Sequence, residues 1–377
     1  MAVSTLFRRN TSFFYYQLRH LNRSTNGSSV PSFNMDTEKK AFIDVMPEVI
    51  NSVVTSPKLT DIPEVRSWIK KLLEYTLPGG KVGRGLMVSI GYRMFEEPDN
   101  YSEETQHSAR VLGWCAEMSQ FLILDDIVDG GTVRRGKPCW HLQPNVGIFG
   151  INDALLVRQS MVEVLDIYFG QTPIFTDLLR QFNEALNKIT VGEHLDLWSN
   201  YSKEKNNIDL FNTDRIYKAI ADIKCPYYSF KLPIFLPLLL VKDGKMKATK
   251  ELNNICMDLG RLMQCQDDYM DAYGDETVTG KIGTDIQEGK CSWVAVTALQ
   301  HSNDAQRAIF KEYYGSKDPE HVKRIKQLYD ELHLPQLYEQ CERTIYENIM
   351  HQIHLLPNEA ARIFLLEVLN ANYKRVY

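Results

Sequence analysis

Apolar residues recur at helical spacing through most of the chain after about residue 40. Residues three and four positions apart share one face of an α-helix, so each such segment predicts a helix with one buried face. Gly/Pro clusters separate these segments, and strand-like alternation with hairpin dipeptides is nearly absent. We therefore predict an all-α fold in a single domain, with helices over 62–75, 105–128, 154–169, 177–187, 249–273, 292–299, 319–332 and 337–352.

The first 35 residues differ from the remainder. They contain no Asp or Glu, they are rich in Ser, Thr and Asn, and they carry Arg8, Arg9, Arg19 and Arg23. This composition is typical of a mitochondrial transit peptide, and no continuous apolar segment indicates a secretory signal. We predict a disordered mitochondrial-type presequence over 1–35 and a folded body over 36–377. The alternative is a disordered tail of chance composition, and translation starting at Met35 would give a cytosolic form.

Composition narrows the functional classes. The net charge of −5 argues against nucleic-acid binding, because no basic excess is present to neutralise phosphates. The most apolar stretch, 232–241, is about half the length of a membrane span and contains two prolines. Seven dispersed cysteines without a C-x-x-C pair are typical of reduced thiols. We expect neither a nucleic-acid partner nor a membrane span.

Two acidic clusters of the form D-D-x-x-D are the strongest chemical signal. They occupy 125–129 and 267–271, and each follows a long apolar-patterned segment. On a helix, positions i and i+4 share a face, so Asp125 projects with Asp129 and Asp267 with Asp271. A solvated acidic face is the alternative for either cluster alone. Two matching clusters inside apolar sequence instead favour Mg²⁺, which prefers hard oxygen ligands and a shared phosphate.

Basic residues accompany both clusters. The loop 79–85 reads Gly-Gly-Lys-Val-Gly-Arg-Gly, and Arg134-Arg135 follows the first cluster. Lys281 and Lys290 follow the second cluster, and Lys224 lies in an otherwise apolar and aromatic stretch. Any single lysine could be a surface charge, but backbone N–H groups and several cations together suit diphosphate binding.

These motifs resemble those of eukaryotic farnesyl diphosphate synthases. The resemblance rests on G-G-K-x-x-R-G, on D-D-I-V-D followed by R-R-G, and on Q-D-D-Y-M-D with T-G-K-I-G-T-D-I-Q and K-C-S-W, and it extends from about residue 40 to the end. It implies an all-α isoprenoid synthase bundle around a central cavity, usually a homodimer. It also implies a Mg²⁺-dependent prenyltransferase that condenses isopentenyl diphosphate with dimethylallyl or geranyl diphosphate to farnesyl diphosphate.

The resemblance also assigns roles to residues. Three Mg²⁺ ions would be held against the allylic diphosphate by Asp125, Asp129 and Asp267, supported by Asp126, Asp268 and Asp271. The allylic diphosphate would be bound by Arg134, Lys224, Gln264, Lys281 and Lys290. Isopentenyl diphosphate would be bound by Lys81, Arg84, Gln120 and Arg135. The main catalytic residues would be Lys224, Asp125 and Asp267.

The sequence departs from the family pattern near the chain-binding cavity. The segment between Trp114 and Asp125 is two residues shorter than in the family. Counted forward from Trp114, Gln120 is the glutamine of the family pattern W-C-x-E-x-x-Q, but counted back from Asp125 it falls where the family often has an aromatic of the pocket floor. Both alignments can hold only if the helix is irregular. Phe121 retains one aromatic of the pocket floor. Other differences are Cys225-Pro226, Met263 and Glu193 in place of the family's usual Thr-Ala, Phe and Gln. We hypothesise an active enzyme with altered rate, chain-length or branched-homologue preference.

Two alternatives remain open. A terpene synthase of the same fold would ionise a diphosphate without condensing a second substrate, but the retention of Lys81, Arg84 and Arg135 argues against it. A weakly active binding or regulatory subunit of a heteromer is the other alternative. The two intact acidic clusters argue against that reading, whereas Cys225-Pro226 and the shortened segment before Asp125 favour it.

Overall fold

The chain folds almost entirely into helices. The structure, a computed structural model, describes residues 35–58, 61–119, 122–205, 207–242, 247–274 and 283–373. The first helices are α1 Met35–Asp44, α2 Met46–Thr55, α3 Pro63–Thr76, α4 Gly83–Phe95, α5 Glu103–Met118 and α6 Leu122–Val128. Next come α7 Gly150–Phe169, α8 Phe175–Ser199, α9 Arg215–Ile223, α10 Leu232–Phe235 and α11 Lys250–Tyr273. The remainder are α12 Asp285–Glu288, α13 Trp293–His301, α14 Asp304–Tyr313, α15 Pro319–Glu331, α16 Leu334–His354 and α17 Glu359–Asn372.

Shorter elements complete the described chain. Short 3₁₀ turns occupy Trp140–Leu142, Gly147–Phe149, Ile208–Phe211 and Pro237–Leu239, and a π-helix occupies Tyr227–Lys231. A two-stranded antiparallel hairpin joins β1 Val133–Arg134 to β2 Lys137–Pro138. The predicted all-α class is confirmed, and this hairpin is its only exception among the described residues.

One predicted helix is described in two parts. The sequence pattern gives a single helix over 105–128, whereas the structure describes α5 as far as Met118 and α6 from Leu122. The Ser119 N–H bonds to the Cys115 carbonyl, 3.0 Å away, at the end of α5. Gln120 and Phe121 lie outside the described residues, so the irregular helix that the two-residue shortening predicts stays a prediction.

Side-chain caps fix where two helices near the second acidic cluster begin. Thr249 Oγ1 accepts from the Leu252 N–H at the start of α11. Ser292 Oγ accepts from the Ala295 N–H at the start of α13. Caps of this kind satisfy N–H groups that the first helical turn leaves unpaired. The cap at Ser292 therefore sets the start of α13 at Trp293, three residues after Lys290.

Close backbone contact holds α4 against α5 in the larger apolar cluster. A Cβ on Gly113 would lie 2.6 Å from the Gly85 carbonyl oxygen, so neither helix could approach as closely with a larger residue there. The Phe42 ring of α1 stacks on Trp114, with ring centroids 4.8 Å apart. The backbone carbonyl of Phe42 also accepts a hydrogen bond from Trp114 Nε1 at 2.8 Å. This packing places the start of α4, which carries Arg84, beside α5.

A buried polar network joins α1 to the same helices. The Glu38 carboxylate accepts from Arg110 Nε at 2.8 Å and Nη2 at 2.7 Å. Ser89 Oγ and Gln106 Nε2 also donate to Glu38. Met35, the first described residue, is buried. The predicted presequence over 1–35 otherwise lies outside the described residues.

A second apolar cluster supports the region after the second acidic cluster. Tyr201, Phe211, Phe310 and Tyr314 pack against one another at ring-centroid distances of 4.2–6.4 Å. All four rings are buried. None of the described helices combines the length and apolar character needed to cross a membrane.

Candidate active site

The first acidic cluster lies on α6 and is paired with the hairpin that follows it. Arg134 of β1 donates from Nε to Asp126 Oδ1 at 2.6 Å and from Nη2 to Asp125 Oδ2 at 3.0 Å. Burial alone would lower the pKa of Arg134, but Asp126 and Asp125 together raise it above its ordinary value. The hairpin turn at Arg135 and Gly136 has positive φ at both residues, 54° and 74°, as a tight hairpin turn requires. This turn folds Arg134 back onto the acidic helix.

The second acidic cluster lies near the C-terminal end of α11. Asp268 is buried, and its carboxylate accepts from Gln264 Nε2 at 2.8 Å and from the Trp293 N–H at 2.7 Å. Asp271 accepts from the Asp285 N–H at 2.8 Å. Burial raises the pKa of Asp268, although both hydrogen bonds oppose the shift. Asp267, directly before Asp268 in sequence, is half-buried.

The loop from Asp285 to Trp293 connects the two clusters, because its backbone N–H groups bond to Asp271 and Asp268 and it carries Lys290. The Lys290 ammonium lies 3.3 Å from Asp129 Oδ1, directly after α6, and 3.9 Å from Asp196 Oδ2 on α8. The backbone of Lys290 is fixed by an N–H bond to the Asp285 carbonyl at 3.0 Å and by the Tyr314 hydroxyl, which donates to the Lys290 carbonyl at 2.6 Å. Burial lowers the pKa of Lys290, but Asp196 and the other carboxylates raise it overall. The two sequence motifs therefore border one site.

Lys224 lies at the end of α9, between two carboxylates of α8. Its ammonium is 2.5 Å from Asp196 Oδ2 and 2.9 Å from Glu193 Oε2. A Cβ on Gly192 would lie 2.8 Å from Lys224 Cα, so this glycine permits the close approach of the two helices. Burial opposes the charged form of Lys224, yet Asp196 and Glu193 raise its pKa well above the ordinary value.

Asp196 is the site residue that sequence reasoning did not include. It contacts both Lys224 and Lys290, and its pKa is lowered overall because these two lysines outweigh the effect of burial. In the sequence it could have been noticed as a single acidic residue between Leu195 and Leu197, three residues after Glu193. A charge on an apolar helix face usually has a buried partner.

The chain changes helix type directly after Lys224. Cys225 and Pro226 lead into the π-helix, and the Ser229 N–H bonds to the Cys225 carbonyl at 3.2 Å. Gly260 of α11 faces Pro226 closely, so a side chain there would overlap the proline ring. Short π-helical segments often mark functional positions in helices. The departures at Cys225 and Pro226 thus lie between Lys224 and the α11 helix that carries the second cluster.

Arginine side chains gather at the other end of the site. Arg84 Nη2 donates to Ser229 Oγ at 3.0 Å, and its guanidinium carbon lies 4.5 Å from the Tyr228 ring centroid. Arg135 Nη1 donates to the carbonyls of Thr76, Leu77 and Pro78 at 2.6, 2.9 and 3.2 Å, which end α3. Burial lowers the pKa of Arg135. The nearby Glu117 carboxylate opposes this shift, but the positive charges of Arg134 and Arg84 lower the pKa further. Mutually repelling guanidinium groups favour an anion between them.

Not every predicted site residue can be placed. Lys81 is exposed in the loop before α4, three residues before Arg84. Gln120 and Lys281 lie outside the described residues. A small cavity of about 30 Å³ is lined by Met118 at the end of α5, by Leu122 and Ile123 at the start of α6, and by Arg135 among others. The end of α5 and the start of α6 therefore lie next to the arginine end of the site.

The donor atoms of the two clusters fit magnesium. They are carboxylate oxygens, the ligands that hard divalent cations prefer. Among the described residues, no three or more His, Cys, Asp and Glu side chains converge on a metal position by themselves. Mg²⁺ usually takes one or two carboxylates and completes its shell with water and substrate phosphates. Carboxylates beside the cations Arg134 and Lys290 suit a metal that binds together with a diphosphate.

Comparison with known proteins decides the family. The sequence model of the polyprenyl synthetase family matches residues 66–332. Farnesyl pyrophosphate synthase 1 of Lupinus albus is 37% identical over 340 residues, which cover 89% of this chain and 98% of that protein. The chain belongs to the polyprenyl synthetase family.

Other relatives extend this match to a second kingdom. The polyprenyl synthetase from Nezara viridula, a farnesyl pyrophosphate synthase, is 35% identical over 341 residues, covering 90% of this chain and 83% of that protein. The structure of the Trypanosoma brucei farnesyl diphosphate synthase complexed with risedronate superposes with a TM-score of 0.83 at 31% identity, covering 90% of this chain and 99% of that chain. The predicted resemblance and the prenyltransferase class are confirmed, and synthases of this kind generally depend on magnesium.

Proposed function

We propose that this polyprenyl synthetase condenses isopentenyl diphosphate with dimethylallyl and geranyl diphosphate to farnesyl diphosphate. The loop from Asp285 to Trp293 carries the proposal, because its backbone bonds to Asp271 and Asp268 of the second cluster while its Lys290 contacts Asp129 of the first. The names of the similar enzymes from Lupinus albus and Nezara viridula support the farnesyl product.

The residues of the site divide into two anion-binding groups. Arg134, Lys224 and Lys290 surround the acidic clusters and would hold the allylic diphosphate together with Gln264 and Lys281. Lys81, Arg84 and Arg135 at the arginine end would hold isopentenyl diphosphate together with Gln120. Both groups place cations where a diphosphate needs them, and the two substrates would meet between α6 and the π-helix.

Reaction begins with cleavage of the allylic C1–O bond, in which the diphosphate leaves with the bonding electron pair. Arg134, Lys224 and Lys290 stabilise the negative charge that develops on the leaving group. The double bond of isopentenyl diphosphate then attacks C1, and the released diphosphate accepts the proton lost from the adjacent carbon. No side-chain nucleophile is required.

Three magnesium ions would be held by Asp125, Asp129 and Asp267, with Asp126, Asp268 and Asp271 in supporting positions. When bound, magnesium supplies Lewis-acid stabilisation of the leaving diphosphate. The oxygen-only donor set of the two clusters supports this assignment. Asp268 and Asp271 already accept backbone N–H bonds, which suits a supporting role that orients α11.

An exposed apolar surface supports a homodimer. Large apolar side chains remain exposed around the start of α7: Leu142, Ile148, Phe149, Ile151 and Leu155. Ile148 is 78% and Phe149 70% exposed. Contiguous exposed apolar residues on a soluble chain typically mark an interface. A shift from dimer to monomer in Phe149→Asp, measured by sedimentation equilibrium, would support this assembly.

Residues 1–35 would direct the enzyme to mitochondria, and translation from Met35 would give a cytosolic form. The acid-free, arginine-rich composition supports this localisation. The matching test fuses residues 1–35 to a fluorescent protein and examines its co-localisation in cells. A second fusion in which Arg8, Arg9, Arg19 and Arg23 are changed to Asp serves as the control and should remain diffuse.

Substrate preference would differ from that of ordinary farnesyl diphosphate synthases. The two-residue shortening before Asp125 and the Cys225-Pro226 pair next to the π-helix support this, because the first leads into the first cluster and Pro226 packs against Gly260 of α11, which carries the second. We hypothesise altered chain length or acceptance of branched homologues. Equal kcat/KM values for geranyl diphosphate and its branched homologue would contradict the hypothesis.

Product analysis tests the proposed function as a whole. The full chain is incubated with Mg²⁺, isopentenyl diphosphate and either dimethylallyl or geranyl diphosphate, and the product chains are sized by chromatography. Magnesium-dependent farnesyl diphosphate that disappears in Asp125→Ala is the expected result. A cyclised hydrocarbon would indicate a terpene synthase instead. Tight diphosphate binding without any product would indicate a subunit that requires a partner.

A further inference from the structure

Charged side chains alternate in sign along the α8 side of the site. Glu193 contacts Lys224, Lys224 contacts Asp196, Asp196 lies near Lys290, and Lys290 contacts Asp129. This chain of contacts joins three carboxylates to two ammonium groups, so one negative charge is in excess. Glu193 stands at its end, where its removal would leave every other contact in place.

Glu193 is held differently from the other two carboxylates. Only its Oε2 atom reaches Lys224, at 2.9 Å, whereas Oε1 is buried without a hydrogen-bond partner among the described residues. Asp196 already lies closer to the same ammonium, at 2.5 Å, and is more deeply buried, with 8% of its side chain exposed against 21% for Glu193. A buried carboxylate oxygen without a donor is costly for the fold. The local fold therefore gains less from Glu193 than from Asp196.

We propose that Glu193 determines how tightly the site binds the allylic diphosphate, by occupying Lys224 and placing an excess negative charge beside it. The proposal rests on the proposed function, in which Lys224 binds that diphosphate. It concerns this chain in particular, because the resembled family usually has a glutamine at this position.

The ammonium geometry explains the expected effect. An ammonium group has three N–H donors. Glu193 and Asp196 use two of those on Lys224, so an incoming diphosphate oxygen must take the third or displace a carboxylate. The second carboxylate also repels the dianionic end of the substrate at short range.

Binding then depends more on the hydrocarbon chain. Glu193 weakens the attraction for the diphosphate group but not for the prenyl chain. Inorganic diphosphate should therefore bind this site less tightly than a site in which residue 193 is neutral. The same weakening favours release of the diphosphate product. Inorganic diphosphate is therefore a suitable probe, since it carries the charge without the prenyl chain.

Glu193→Gln in the full chain tests the proposal. The inhibition constant of inorganic diphosphate and the KM for geranyl diphosphate should both fall about tenfold, the effect of one hydrogen bond to a charged group. The KM for isopentenyl diphosphate should stay within about twofold, because its cations lie at the arginine end. Glu193→Met removes the same charge with an apolar side chain of similar length and should change both constants in the same direction.

A matched control comes from the same helix. Glu184 also lies on α8 and contacts a lysine, Lys231 Nζ, at 2.7 Å, so Glu184→Gln removes an equivalent carboxylate away from the chain of contacts. Both constants should remain at the parental values in this variant. Unchanged or increased constants in Glu193→Gln and Glu193→Met would overturn the role of Glu193. Absence of prenyl transfer by the parent protein would instead overturn the proposed function.

Discussion

Gly80 lies directly against the guanidinium group of Arg135. A Cβ on Gly80 would be 2.7 Å from both Cζ and Nη2 of Arg135, closer than two such groups can pack. Nη1 of the same guanidinium bonds to the three carbonyls that end α3. The glycine therefore allows an arginine to hold the loop that leads from α3 to Lys81 and Arg84.

Gly80→Ala should act on catalysis through Arg135. The added methyl group displaces the guanidinium from the α3 carbonyls and disturbs the loop, so the KM for isopentenyl diphosphate should rise about tenfold, as expected for loss of a hydrogen bond to a charged group. The KM for geranyl diphosphate should change little. Steady-state kinetics with each substrate varied in turn measure both values.

A double-mutant cycle separates this effect from general crowding. If Gly80 acts through Arg135, then Gly80→Ala should add little to the defect of Arg135→Ala, because residues in contact are not additive. Full additivity of the two changes would show that the methyl group disturbs something else.

Lys290→Ala should impair the allylic half of the reaction. The change removes the ammonium that lies 3.3 Å from Asp129 and 3.9 Å from Asp196, and it leaves the charge of these two carboxylates less balanced. We expect kcat/KM for geranyl diphosphate to fall about 100-fold, in the range typical for loss of one stabilising donor. Stopped assays at saturating Mg²⁺ measure this value.

Lys203→Ala is the control for Lys290→Ala. Lys203 pairs with Glu312 at 2.9 Å, but both side chains are more than half exposed, so the pair should contribute little. A similar loss of kcat/KM in both variants would argue against a specific role of Lys290.

Regular helices could be predicted from the sequence because their apolar periodicity is local. The predicted segment 249–273 matches α11, Lys250–Tyr273, almost to the residue. Helix α8 was predicted as 177–187 but extends to Ser199, because its second half carries Glu193 and Asp196 on a face that the site buries. Charges paired across the fold interrupt the apolar pattern that a single sequence displays.

The partners of the site residues could not be predicted in the same way. The spacing of Asp125 and Asp129 follows from helix geometry alone. The contact of Asp129 with Lys290 spans more than 160 positions and depends on how α6 meets the loop after α12. The capping of α3 by Arg135 likewise depends on a hairpin with positive φ at a non-glycine residue, which sequence patterns rarely indicate.

Glu38→Ala should destabilise the fold without a specific effect on the site. Glu38 is buried and accepts from both Nε and Nη2 of Arg110, so its removal leaves a largely buried guanidinium with only the exposed Glu103, 3.8 Å away, as an acidic partner. Breaking one partner of a buried ion pair costs about 3–5 kcal/mol. Urea denaturation followed by circular dichroism measures the change in the free energy of unfolding.

Glu103→Ala removes the more exposed partner of the same arginine and provides the comparison. Glu103 lies 3.8 Å from Arg110 with 75% of its side chain exposed, so its loss should cost less than about 1 kcal/mol. Equal losses for the two variants would contradict the importance of the buried pair.

Glu367 on α17 should make stability depend on pH. Burial raises the pKa of this carboxyl group to about 7. In the unfolded chain the group titrates near its ordinary value, so between these two pKa values the folded state binds more protons than the unfolded state. Stability from this group is therefore present at low pH and is lost as the pH rises toward 7.

Glu367→Gln, which stays neutral, should have a higher Tm than the parent at pH 8 and lose that advantage at pH 5. Thermal unfolding at both pH values measures the difference, with Glu359→Gln, an exposed position on the same helix, as the control. A Tm difference for Glu367→Gln that is the same at both pH values would show that the buried carboxyl does not titrate in this range.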